Sequence, residues 1–159
     1  MLMRTDFQFV ALPIENFSHL FSMSDAELES HGARRMNVDS HPGYPCRVSL
    51  MDAPAGERVI LTAFRHHDVN SPYQSTGPIF VREHTQTATP DVNEIPAMFH
   101  HRRLSVRGYD DAAMMKNARV VEGKDLEGTI REFFSAETIS YLHIHNAGPG
   151  CFNCVVQRA

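Results

Sequence analysis

Ser140-Tyr-Leu-His-Ile-His145 and Cys151-Phe-Asn-Cys-Val-Val-Gln-Arg158 flank the turn Asn146-Ala-Gly-Pro-Gly150 near the carboxy terminus. Two β-prone arms around a five-residue connection with two Gly and one Pro read as a β-hairpin. Pairing His145 with Cys151 sets Ile144 against Phe152, His143 against Asn153 and Leu142 against Cys154. One surface then holds Leu142, Ile144, Phe152, Cys154 and Val156. The other holds Tyr141, His143, His145, Cys151 and Asn153. A slip of one residue mixes the two sets, so the pattern selects its register.

The parity has chemical consequences. Cys151 and Cys154 are three apart and point to opposite faces of a regular strand, so Cys151-Phe-Asn-Cys154 does not read as a zinc or redox pair. Cys154 reads as a small buried hydrophobe. His143 and His145 are two apart and share a face. They could ligate one metal with a third ligand from Cys151, His66 or His67, hydrogen-bond an anionic ligand, or cover a polar sheet surface.

Outward from the hairpin, the chain is β-rich. Glu57–His66 is apolar on both faces and reads as a central strand. Further strands are expected at Gln8–Leu12, Cys46–Leu50, Ile79–His84, Leu104–Tyr109 and Ala118–Glu122, with Gln86–Pro96 as a long surface loop. Helices are expected near Phe17–Phe21, after Ser24 up to Gly32, and over Lys124–Ser135. The fold class is α+β: a mostly antiparallel sheet with one or two helices packed on it and a C-terminal hairpin.

Arg47, Arg82 and Arg107 each take a polar position of a strand-like pattern. Converging guanidinium groups would bind a carboxylate or phosphate; a solvated sheet face would show the same pattern. There is no Gly-rich phosphate loop, Ser/His/Asp signature or paired-carboxylate motif.

The chain has 159 residues and 17.9 kDa, the size of a single domain. Lys+Arg 15 against Asp+Glu 19 argues against a dedicated nucleic-acid binder. Ten His make the net charge steeply pH-dependent near neutrality. Arg4, Asp6 and Pro13 interrupt any apolar leader, and no stretch reaches membrane-spanning length. Three Cys with no leader suit reduced thiols in a cytoplasmic protein.

The stretches PGYPCRVSL (Pro42–Leu50), GERV (Gly56–Val59), SPY (Ser71–Tyr73), GPIFVRE (Gly77–Glu83) and LHIHNAGPGCF (Leu142–Phe152) occur in this order. With them the chain resembles the bacterial family called domain of unknown function 1203 over nearly its whole length. The resemblance implies a small stand-alone bacterial protein and no particular activity. The residues matching its motifs are Tyr44, Cys46, Arg47, Ser71, Tyr73, Arg82, Glu83, Arg107, His143, His145, Asn146 and Cys151.

Three functions are therefore carried forward. The first is a binding domain for a small anionic molecule, either a plain binder or an enzyme. There His143, His145 and Cys151 would do chemistry, with Cys46 as an alternative nucleophile, and Tyr44, Cys46, Arg47, Tyr73, Arg82, Arg107 and Asn146 would hold the ligand. The second is a metal-binding protein through His143 and His145. The third is a non-catalytic homodimeric module joined by a strand edge.

Overall fold

The computed structural model describes residues 3–159. Its frame is two antiparallel sheets. The first has five strands in the order β1-β8-β7-β5-β6: β1 (Phe7–Val10), β5 (Arg103–Tyr109), β6 (Met115–Glu122), β7 (Tyr141–Asn146) and β8 (Phe152–Arg158). The second has three, β2 (Arg34–Asn37), β3 (Arg58–His67) and β4 (Ser75–Arg82), with β3 in the middle as its two-sided apolar pattern requires.

Helices are short. α1 (Ser18–Phe21) precedes α2 (Asp25–Ser30), whose start is a capping box: Ser24 accepts from the Glu27 amide while Glu27 reaches back to the Ser24 amide. α3 (Leu126–Phe134) follows one 3-10 turn and buries Leu126, Ile130, Phe133 and Phe134. These four pack with Phe7, Phe9, Leu104, Val106, Leu142, Ile144, Cys154 and Val156 on one face of the larger sheet. Each such side chain contributes about 1.5–3 kcal/mol on burial, which makes this layer the main source of stability.

The opposite face of the larger sheet meets the smaller one. Phe152 joins Cys46, Val48, Ile60, Ile79 and Val81 in a second core. The candidate site lies on this side of the larger sheet.

The hairpin is present, but its register is corrected. Leu142 pairs with Val156, His143 with Val155, Ile144 with Cys154, and His145 with Phe152. The irregularity between Ile144 and His145 leaves Asn153 as an extra residue on β8. Leu142, Ile144, Cys154 and Val156 still share the core face, as expected. Phe152 does not: the bulge turns its ring to the histidine side. Gly150 closes the turn at φ +83°, a conformation that favours glycine.

Two other expectations change. Cys46–Leu50 is not a strand. Pro45 and Cys46 make isolated bridges, and the Leu50 amide then donates to the Cys46 carbonyl as the chain turns back. β2 had no sequence signal: Arg34-Arg-Met-Asn37 holds three polar residues out of four, and its pairing with β3 defines it as a strand.

Candidate metal centre

β3 brings His66 from the smaller sheet to the side of Phe152, whose ring it stacks on at 5.1 Å and 6°. β7 brings His143 and His145 from the larger sheet; their ring centroids lie 6.1 and 5.2 Å from that of His66. One ligand nitrogen from each of the three lies within 4.8 Å of the others. Among the described residues this is the one such cluster of three or more His, Cys, Asp or Glu. Around a tetrahedral ion with bonds of about 2.0–2.1 Å, nitrogens sit roughly 3.4 Å apart, so small ring rotations close the set.

The nitrogens are in the right chemical state. Burial holds His143 down to about 2, His145 to about 3 and His66 to about 4, and the neighbouring imidazoles and Arg107 add to the effect. All three rings are neutral at physiological pH, with lone pairs available. His66 Nδ1, His143 Nδ1 and His145 Nε2 are buried with no hydrogen-bond partner, whereas buried polar atoms are nearly always paired. His145 Nδ1 is engaged with the Gly150 carbonyl at 2.9 Å.

His67, another candidate third ligand, is fully used. Its Nδ1 donates to the Tyr73 carbonyl at 2.8 Å, and its Nε2 takes the Tyr141 hydroxyl at 2.7 Å. Cys151, expected beside the two imidazoles, is half-buried on the far side of the turn, next to Arg47.

The three arginines do not converge. Arg107 is the cross-strand neighbour of His143 and adds positive charge near all three imidazoles. Arg82 is committed to Glu57, with two contacts of 3.0 Å. Arg47 is not on a solvated strand face at all; it is 2% exposed, and donates to the carbonyls of Phe152 and Pro45.

The remaining residues are spread out. Tyr44 donates to Asp39 and packs on Phe80. Tyr73 lies beside Tyr109, within reach of His67. Cys46 is fully buried, and its sulfur accepts the amides of Ser49 and Arg82, so it is enclosed rather than presented to a substrate. The Asn146 side-chain oxygen accepts from Asn153. Cys154 is buried, with its thiol pushed up to about 12. Sequence reasoning missed the aromatic surround, namely Phe152 under His66 and the stacked pair Tyr109 and Tyr141. The alternation of Tyr141, His143 and His145 on β7 was its visible trace.

The fold is thus mixed, with two antiparallel sheets and three imidazoles meeting between them. Residues 43–158 match the family described as protein of unknown function (DUF1203), and the chain belongs to that family. No curated protein and no solved structure matches it. Among the described residues, no helix is long and apolar enough to cross a membrane.

Proposed function

We propose that this protein binds a divalent transition metal through His66, His143 and His145. The observation that carries the reading is the convergence, across two sheets, of three neutral imidazoles, each with one buried nitrogen that has no protein partner. Three nitrogen ligands are the complement of an open site, which leaves a position for an exogenous ligand. Arg107 beside His143 makes that position favour an anion. The expected small anionic molecule therefore belongs at the metal, with Arg107 rather than Arg82 as its charge partner. The three unpaired thiols support a reducing, cytoplasmic setting.

The test is titration of untagged, chelator-treated protein with Zn2+ and with Co2+. One equivalent should bind, and Co2+ should give the intense visible bands of a low-coordinate nitrogen site. H66A, H143A and H145A should each lose the bands, while H31A, on the exposed surface, retains them. Binding that survives all three substitutions, or no saturable binding in the wild type, rejects the reading.

A further inference from the structure

A separate cavity of about 480 Å³ opens on the other side of the hairpin turn. Its size is that of a small-molecule site, roughly 300–1,000 Å³. Leu61, Pro78, Phe80 and Pro149 give it apolar walls, and Arg47, Arg102 and Arg103 also line it, with no Asp or Glu among the lining residues. Arg102 is neutralised by Asp52, through contacts of 2.5 and 3.0 Å. Arg103 stands at the rim with its side chain 71% exposed.

Arg47 is different. It is buried, and no carboxylate among the described residues pairs with it. A guanidinium has five N–H groups. Those of Arg47 reach two backbone carbonyls, Phe152 from Nε at 2.8 Å and Pro45 from Nη1 at 2.5 Å, and Nη2 has no partner among the described residues. A buried cation without a counter-charge is costly unless something supplies the missing anion. Burial lowers Arg47 only to about 10, so it remains charged at neutral pH.

We infer that this cavity is a second site, which takes a small organic carboxylate with an apolar body: the carboxylate on the free edge of Arg47, the body against Phe80 and Leu61. None of the lining residues is one of the three histidines, so the two sites hold different ligands, although Arg47 reaches the Phe152 carbonyl and its charge acts on His145.

The experiment uses 2-naphthoate and its neutral isostere naphthalene-2-carboxamide, followed by ligand fluorescence and calorimetry in excess EDTA. Naphthoate should bind one per chain, at least tenfold tighter than the amide. R47M should remove that preference. Because Arg47 also anchors two carbonyls, A147F provides a second check: it fills the cavity from the turn and should abolish binding of both probes in a folded protein. Equal affinity for the two probes, no saturable binding of naphthoate, or undiminished binding by folded A147F would each overturn the inference.

Discussion

The Nδ1–H of His145 donates to the carbonyl oxygen of Gly150 at 2.9 Å, tying β7 to the turn that leads into β8. A carbonyl only accepts, so the proton of the neutral ring resides on Nδ1 and the lone pair on Nε2. Backbone carbonyls commonly orient metal-binding histidines in this way. Gly150→Ala forces a side chain onto a φ of +83° and displaces that carbonyl. Zinc affinity should fall by about 10–100-fold with all three imidazoles still in place. Calorimetric titration of G150A checks this, and an unchanged affinity would show that the bond does not orient the ring.

Metal-free protein should lose stability as pH falls below about 6.5, the ordinary imidazole value. Above it, folded and unfolded chains are both neutral at these sites. Below it, the unfolded chain takes up protons that buried His143 and His145 refuse down to about 2 and 3. Each of these two groups removes up to about 1.4 kcal/mol per pH unit. Half-buried His66, held to about 4, adds less and over a narrower window. Urea unfolding between pH 7.5 and 4.5 in EDTA measures the slope. His143→Gln should make it shallower, and parallel curves would contradict the assignment.

Gly123 lies where the chain enters the turn before α3, against the backbone of the Phe99 segment. A Cβ there would stand 1.9 Å from the Phe99 carbonyl oxygen and 2.7 Å from the His100 carbonyl carbon. The atoms it would meet are backbone, which cannot yield as a flexible side chain would. Gly123→Ala should cost at least about 3 kcal/mol, at the upper end of overpacking effects, or prevent folding altogether. Expression and thermal melting provide the measurement.

Asp52 is nearly buried and is held by both Arg102 and His101. Asp52→Asn removes the anion and leaves the Arg102 guanidinium, itself 14% exposed, without its charge partner. Breaking a buried pair from one side costs about 3–5 kcal/mol. The midpoint of urea unfolding should move accordingly; a shift below about 1 kcal/mol would place this pair among surface ion pairs.

Strand periodicity made much of this molecule legible. Leu142, Ile144, Cys154 and Val156 announced the core face of the hairpin, and β3 announced its central place. Three features escaped for physical reasons. The bulge at Asn153 inserts one unpaired residue, and no alternation rule marks where a ladder absorbs an extra residue; Phe152 changed sides as a result. Arg47 resembled a solvated strand residue because Cys46-Arg-Val-Ser-Leu50 alternates, yet its segment is a turn and its side chain is enclosed. β2 is an edge strand of mostly polar residues, whose partner rather than whose composition makes it β. His66 was one of three options for a third ligand. Only tertiary placement separates it from His67, whose two nitrogens are already occupied.

His66 is contributed by one sheet and His143 and His145 by the other. An ion gripped by all three would act as a rivet through both leaves. Its release would then loosen the sandwich itself, and the melting temperature would climb with free zinc by mass action, by the equivalent of about 2.7 kcal/mol at a hundredfold excess over Kd.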